Sequence, residues 1–309
     1  MTNRKPNGYL LHENAMYVVI ATMATNNPKT GDMVQIWILP RNTSPVDAVR
    51  SGEDDVVCFD CKHRGIDGKN RTCYVKVFQA PTAVWKAYRR GSYPTLAIED
   101  YKYTFSGRKI RLGAYGEPVL IPMHILSELT IYSDGWTGYT HQWANPEYAP
   151  YGAYLMASVD SVREYEHAKS LGWRTFRVRT SDGALMEREI VCPASDEANH
   201  RTTCADCRLC AGSYAGDPRK DIAIIVHGSS AKKFIQIARQ DSELPDLRNR
   251  IVAAITSGIR SGGDVTDWDA PEFTEAVLLT TGIVWDFAGW RETRHTVEFS
   301  GILGGVDLR

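Results

Sequence analysis

The stretch AYLMASVDSVREYEHAKSLGWRTFRVRT, residues 153–180, carries the pattern that decides the fold class. Its first part, AYLMASVDS, is apolar and predicts a strand. SVREYEHAKSLGW predicts a helix that Asp160 or Ser161 caps at its N-terminus and that stops at Gly172. RTFRVRT predicts a second strand. A strand, a helix and a strand in this order are typical of a parallel sheet.

Further apolar segments predict more strands of the same kind, namely DMVQIWILP at 32–40, REIVCPAS at 188–195 and KDIAIIVHGSS at 220–230. We therefore expect an α/β fold over residues 1–240, a partial or complete TIM-like (β/α) barrel of parallel strands. A doubly wound open sheet is the alternative. Residues 244–263 and 270–290 have helical character, so we expect a mainly helical C-terminal extension over 241–309 that packs on the barrel. Residues 295–309 predict a strand and a tail.

Charge and hydropathy narrow the classes of function. The net charge is −1, which gives no bulk attraction to nucleic acid. The sequence contains neither an apolar run long enough to cross a membrane nor an N-terminal signal peptide. We expect a cytoplasmic protein that acts on a small-molecule substrate or a redox partner, and the sequence does not indicate its oligomeric state.

All seven cysteines fall into two groups. The first cysteine set lies in VVCFDCKHRGIDGKNRTCYV, residues 56–75, and the second lies in VCPASDEANHRTTCADCRLCAG, residues 191–212. Clustered thiols in a reducing compartment indicate metal ligands rather than disulfides. The first set, spaced C-x2-C-x11-C, is Cys58, Cys61 and Cys73. The second set, spaced C-x11-C-x2-C-x2-C, is Cys192, Cys204, Cys207 and Cys210.

Successive C-x2-C steps and the Cys192-Pro193 pair resemble the ferredoxin ligand run, which favours a [4Fe–4S] cluster on the second set. Zinc on four thiolates is the alternative. Three thiols in the first set would leave one iron open for chemistry, whereas a structural zinc site would need His63, His200 or His227 as a fourth ligand. The opposite partition, with Cys192 completing the first set, is also open. We expect both sets to meet at the C-terminal ends of the strands.

The first set and two later motifs resemble the radical S-adenosylmethionine (SAM) enzymes. In that family a three-cysteine loop after the first barrel strand holds a [4Fe–4S] cluster that binds SAM, although its usual spacing is C-x3-C-x2-C. Gly116, Glu117 and Pro118 are similar to the family's GGEP segment, which receives the SAM amino group. Ser158 and Asp160 are similar to the end of its fourth strand, near the SAM ribose. The resemblance implies that the second set holds an auxiliary cluster.

A second resemblance covers most of the first 230 residues. The segments RLGAYGEP, TGYTHQW, GWRTFRV and CPAS…CADCRLCAG look like an uncharacterised family of tailed-bacteriophage proteins, the gene product eighty-eight-like family. It implies a phage-encoded viral protein made in the cytoplasm of a host bacterium and supplies no reaction.

Three other residues are candidates for catalysis. His141, in TGYTHQW, is a candidate acid, base or ligand, or else a hydrogen-bonded core histidine. His227 ends the strand IAIIVHG, where a barrel enzyme carries site residues, unless a nearby carbonyl satisfies it. Arg177 shares a strand face with Arg179, and together they would hold a carboxylate or phosphate if that face lines the barrel lumen.

The sequence thus leaves three hypotheses. The first is a radical-SAM-like enzyme with two [4Fe–4S] clusters. The second is a single-cluster redox or non-radical protein on the same fold. The third is a zinc-stapled binding protein without catalysis.

Overall fold

The computed structural model describes residues 6–65, 69–236, 285–293, 296–303 and 306–307. Side chains are described for 6–65 and 69–236, and these ranges include all seven cysteines. The chain divides into two compact units, Met1–Ile235 and Gln236–Arg309, which are described separately below.

The first sheet of the larger unit combines antiparallel and parallel strands in the order β1-β2-β3-β4-β5. The neighbours β1, β2 and β3 are antiparallel, and β3, β4 and β5 are parallel. All of β3 is buried, as its apolar run predicts for a strand covered on both faces. The strands are β1 Gly8–Glu13, β2 Tyr17–Thr22, β3 Met33–Pro40, β4 Lys109–Tyr115 and β5 Trp136–Thr137.

The second sheet is parallel throughout, in the order β6-β7-β8-β10-β9. Its strands are β6 Tyr139–Thr140, β7 Met156–Val159, β8 Thr175–Arg179, β9 Glu189–Val191 and β10 Asp221–Ile225. The chain passes between the sheets at Gly138, between β5 and β6. A Cβ at Gly138 would lie 2.7 Å from Leu155 Cδ2 and 2.9 Å from Leu112 Cβ, so only glycine fits this crossing.

The described helices are α1 Pro45–Ser51, α2 Asp55–Cys58, α3 Ala80–Arg89, α4 Tyr101–Phe105, α5 Met123–Tyr132, α6 Val162–Ser170 and α7 Cys204–Cys207. The helix α6 connects β7 to β8 and packs on both strands. The Ser161 side chain caps α6 by accepting a hydrogen bond from Glu164 N, and Tyr165 and Ala168 form its buried face. The β7-α6-β8 unit predicted from residues 153–180 is therefore confirmed.

The α/β class and the parallel strands are confirmed, but closure into a barrel is not shown. Among the described residues, β1 and β9 occupy outer edges of the two sheets and do not pair with each other. None of the described helices is long and apolar enough to cross a membrane.

The smaller unit contains an antiparallel sheet of β11 Trp285–Thr293, β12 Thr296–Leu303 and β13 Val306–Asp307. The helix expected over 270–290 is wrong at its end, because WDFAGW belongs to β11, where Trp285 is opposite Leu303 and Trp290 is opposite Phe299. Aromatic residues favour strands when a partner strand is available, and the partner follows later in the chain. Residues 244–263 and 270–284 lie outside the described residues.

Arg177 and Glu189 form a buried ion pair between β8 and β9. The distance from Arg177 Nη2 to Glu189 Oε2 is 2.6 Å, and the two side chains are 4% and 0% exposed. We expect Glu189→Ala to lower the free energy of unfolding by about 3–5 kcal/mol, because the Arg177 charge is left buried and unpaired. Urea unfolding of the full chain measures this change.

The matched control removes both charges at once. We expect the double variant Arg177→Met/Glu189→Leu to cost less than Glu189→Ala, because an apolar pair of similar volume leaves no buried charge. A single variant as stable as the parent protein, or a double variant less stable than the single one, would contradict the prediction.

Candidate metal centre

One cavity of about 270 Å³ is lined by side chains from consecutive parallel strands. From β4 it takes Arg111, Gly113 and Tyr115, whereas the intervening Ile110 and Leu112 lie in the hydrophobic core. This alternation follows from the two-residue period of a strand. The cavity is also lined by Cys58, Cys61, Cys73, Cys192, Cys204 and Cys210. Both cysteine sets therefore contribute to a single cavity.

The segment after β3 carries the first cysteine set. Cys58 ends α2, and Cys61 N donates a hydrogen bond to Cys58 O (3.1 Å). Phe59 between them adopts a φ of 49°, in the left-handed region. Cys73 N donates to His63 O (2.9 Å), so the chain returns to the same place after the x11 gap.

Asp54 links separate parts of this segment through its carboxylate. Its buried carboxylate accepts hydrogen bonds from Arg64 Nη2 (2.8 Å) and Arg71 Nη1 (3.2 Å). Burial raises the pKa of Asp54, and the two guanidinium groups oppose that shift. Three charged residues thus anchor a segment that has few apolar side chains of its own.

The second cysteine set encloses a small cavity of about 20 Å³, which all four of its members line. Cys192 follows β9, and its N–H donates to Ala223 O (2.8 Å). Thr203 caps α7 by accepting from Asp206 N, so the helix begins at Cys204. α7 is a single short turn that ends at Cys207, and the chain then leads to Cys210.

The buried Arg174 side chain holds the end of this loop. Arg174 Nη1 donates to Leu209 O and to Ala211 O, both at 2.8 Å, and Nη2 donates to Lys220 O at 2.5 Å. Burial lowers the pKa of Arg174, and the nearby Arg219 lowers it further. Arg174 at the start of β8 therefore positions the carbonyl groups on either side of Cys210.

The thiol pKa values reflect the same two groups. Burial raises the pKa of Cys58 well above its ordinary value, and Cys73 and Cys61 raise it further. Burial does the same for Cys210, where the added charges are those of the other members of the second set. All four members of the second set, Cys192 included, line the same small cavity, and no member of the first set lines it.

The expectation that both sets meet at the C-terminal ends of the strands holds for the first set, which follows β3, and for Cys192, which follows β9. It does not hold for Cys204 and Cys210, which lie against the opposite ends. Cys204 N donates to Lys29 O before β3, and Gly138 N before β6 donates to Cys210 O. The long connection after β9 carries the chain back to where β3 and β6 begin, which the order of motifs could not reveal.

His141 and Glu117 form a pair beside the first set. His141 Nδ1 lies 2.9 Å from Glu117 Oε1, and Thr140 Oγ1 donates to Glu117 Oε2 at 2.5 Å. Burial alone would lower the pKa of His141, but its interactions with Cys61 and Glu117 raise it well above its usual value. Glu117, His141 and Cys61 are thus in contact in that order.

Asp160 and His63 form a second pair at the same end of the cavity. His63 Nε2 lies 2.6 Å from Asp160 Oδ2, and Lys62 Nζ lies 3.1 Å from the same oxygen. Burial would raise the pKa of Asp160, but the hydrogen bond to His63 and the charge of Lys62 hold it below its usual value. The other oxygen, Oδ1, is buried and has no hydrogen-bond partner among the described residues.

The remaining residues of the GEP and SVD motifs differ in position. Gly116 and Ser158 line the cavity. A Cβ at Gly116, where φ is 80°, would lie 2.5 Å from Ile38 O, so the turn after β4 requires glycine. Pro118 is buried, and its ring lies against Gly113.

His227 lines the cavity after β10 and packs edge-on against Tyr74, with ring centroids 5.0 Å apart. Its Nδ1 lies 3.0 Å from Ile225 O.

Two histidines and one arginine do not take the roles that the sequence suggested. Arg177 has no position in the cavity, because β8 directs Phe176 and Val178 into it and Arg177 to the opposite face. His200 is largely exposed and pairs with Asp196. Both ring nitrogens of His63 are engaged, by Thr72 and Asp160, so His63 is not a free fourth ligand.

All seven cysteines are free thiols. Within residues 6–65 and 69–236, no three His, Cys, Asp or Glu side chains converge closely enough to hold a single metal ion. Zinc–thiolate bonds are about 2.3 Å long, so four ligands of one zinc ion lie closer together than four ligands around a multi-iron cluster.

Sequence reasoning missed Lys29 and Arg111 in the cavity and the pairing of His63 with Asp160. The signal for Arg111 was present, because it alternates with the apolar residues of KIRLGAY. No local signal exists for His63 and Asp160, which are 97 residues apart.

No protein-family model, no curated protein and no solved structure matches this chain. The resemblances to the radical SAM enzymes and to the phage protein family therefore stay predictions.

Proposed function

We propose that this chain is an iron–sulfur enzyme with two [4Fe–4S] clusters, one on each cysteine set, and that it acts on SAM in the manner of the radical SAM enzymes. The observation that carries the proposal is a single cavity lined by three thiols at one end and by thiols of a four-cysteine set at the other. A partial (β/α) barrel and a phage-encoded protein in the host cytoplasm belong to the same proposal.

The chemistry of the donor groups fits such clusters. Burial raises the pKa values of Cys58 and Cys210 well above their ordinary value, and the neighbouring thiols raise them further. A bound cation reverses this effect and keeps a coordinating thiol deprotonated. Four cysteines would close the coordination of the second cluster, and three would leave one iron of the first open to a ligand.

Two polar groups in the cavity fit the SAM molecule. Asp160 Oδ1 is a buried acceptor without a partner, suited to a ribose hydroxyl. Glu117 keeps a carboxylate beside the first cysteine set, suited to an ammonium group. A [4Fe–4S] cluster held by Cys58, Cys61 and Cys73 would supply, once an external reductant had reduced it, the single electron that cleaves SAM to methionine and a 5′-deoxyadenosyl radical.

The protein's own residues would bind SAM, orient it and hold the cysteine segments in place. Glu117 holds His141 against Cys61, and the tyrosine and phenylalanine rings of the cavity wall exclude water. Asp54 and Arg174 hold the two cysteine segments in place.

The contact between His141 and Cys61 favours a second candidate function. Metal-binding histidines usually donate their other ring nitrogen to a carboxylate, and Glu117 occupies that position on His141. In this alternative, His141 closes the first set as a Cys3His site, and the chain is a single-cluster redox protein or a zinc-stapled binding protein.

Purification without oxygen, followed by quantitation of iron, sulfide and zinc, separates these functions. We expect about eight irons and eight sulfides per chain and formation of 5′-deoxyadenosine when the reduced protein is given SAM. About four irons with one zinc ion, and no cleavage of SAM, would support the closed Cys3His site instead. Zinc alone in a colourless protein would leave both iron–sulfur functions without support.

A further inference from the structure

The cavity has two cations at one end that face it without an acidic partner. Arg111, on β4, and Lys29, before β3, both line the cavity. Neither forms an ion pair with a carboxylate among the residues that the structure describes. Both side chains are half-buried, so their charges are poorly compensated by water as well.

The acidic groups of the same cavity are compensated elsewhere. Glu117 is bound by His141 and Thr140, and Asp160 is bound by His63 and Lys62. All of these lie at the end that holds the first cysteine set. The cavity therefore has one end at which the acidic groups are paired and another end at which two cations have no carboxylate partner among the described residues.

The thiols of the second set line the same end of this cavity and compensate part of the charge. Lys29 opposes the burial that raises the pKa of Cys192, and both cations oppose it at Cys204. Neither cationic side chain donates a hydrogen bond to another described residue, so the donor groups of both are available to a ligand. Arg111 lies close to Tyr139, whose ring stacks on Phe176 with centroids 4.5 Å apart. An aromatic wall beside an unpaired guanidinium group is suited to an organic anion.

From this arrangement we infer that the substrate of the cavity is a small organic molecule with an oxyanion group, a carboxylate or a phosphate, which Arg111 and Lys29 bind between the two cysteine sets. The inference rests on the proposed function for the identity of the cavity as a substrate site. A guanidinium group binds such oxyanions through two parallel hydrogen bonds, and Lys29 would add a point charge.

The test is equilibrium binding of two probes, benzoate and inorganic phosphate, to the full chain reconstituted with iron and sulfide at low ionic strength. We expect at least one probe to bind and Arg111→Met to weaken it roughly 10- to 100-fold, the usual value of a hydrogen bond to a charged group. The affinity of the Arg111→Lys variant should lie between that of the parent protein and that of Arg111→Met, because lysine keeps the charge but cannot donate the two parallel hydrogen bonds of a guanidinium group. Arg90→Met, at an exposed position directly after α3, is the matched control.

Benzoate binding alone would assign a carboxylate substrate, and phosphate binding alone a phosphorylated one. Binding of neither probe, or equal binding by the Arg111→Met variant, would overturn the inference. The inference would also be overturned if the Arg111→Met variant changed only the reduction potential of the clusters and left probe binding unchanged. SAM cleavage is assayed separately. Probe binding without SAM cleavage would contradict the proposed function and support the anion site. SAM cleavage without probe binding would support the proposed function and contradict the anion site.

Discussion

Replacing Cys61 with alanine is expected to reduce SAM cleavage to the level of a blank and to remove about four of the eight irons. The reason is local, because Cys61 belongs to the first cysteine set, and no member of that set lines the small cavity that the second set encloses. Without one of its three thiols, the cluster that would bind SAM is lost, whereas the second set keeps all four ligands.

The reciprocal variant, Cys207→Ala, is the matched control. It removes one member of the set that lines the small cavity. We expect it to lose a similar share of the iron while the reduced protein still cleaves SAM. Iron and sulfide quantitation and detection of 5′-deoxyadenosine measure both variants. Equal loss of cleavage in the two variants, or loss of all iron in either one, would argue against independent clusters with separate roles.

A second large effect is expected from Asp160→Asn. This change removes the charge that Lys62 and His63 bind, and it places an amide where a buried oxygen has no partner. We expect the Kd for SAM to rise about 10- to 100-fold, the range found when groups next to a metal site are changed. The iron content should stay unchanged, because Asp160 belongs to neither cysteine set.

Glu164→Gln tests whether this effect is specific to the cavity. Glu164 Oε1 lies 2.7 Å from the same Lys62 Nζ, but its side chain is 31% exposed and belongs to the helix α6. We expect the Kd for SAM to stay within about twofold, because partly exposed ion pairs contribute little. Equilibrium binding of SAM to the reconstituted proteins gives both values. A Glu164 variant as weak as the Asp160 variant would show that the ion network, rather than the unpartnered oxygen, determines affinity.

The local sequence pattern was sufficient to predict those helices and strands that are determined by their own residues and the caps next to them. The helix α6 begins after its Ser161 cap and packs on both of the strands expected before and after it. The strand β3 and the delivery of Cys192 by the end of β9 were predicted for the same reason, because apolar runs and caps act over a few residues.

Patterns that depend on a distant partner were predicted less well. Arg177 was expected to bind a ligand because its face of β8 was unknown, and that face turned out to contain Glu189. The end of the segment 270–290 was expected to be helical, and its pairing with residues 296–303 makes it a strand. In both cases the deciding interaction is with a residue that the local sequence does not identify.

The sequence by itself determined the α/β class, the βαβ unit and the grouping of the cysteines in two separate segments, because these follow from spacing along the chain, and it left open which set Cys192 completes. Only the tertiary structure decided that both sets line one cavity from different ends of the strands, that His141 lies against Cys61, and that Arg111 and Lys29 lack acidic partners. The physical reason is that these contacts join residues tens to more than a hundred positions apart. Strand order and the path of the connections bring them together, and no periodicity in the sequence encodes either.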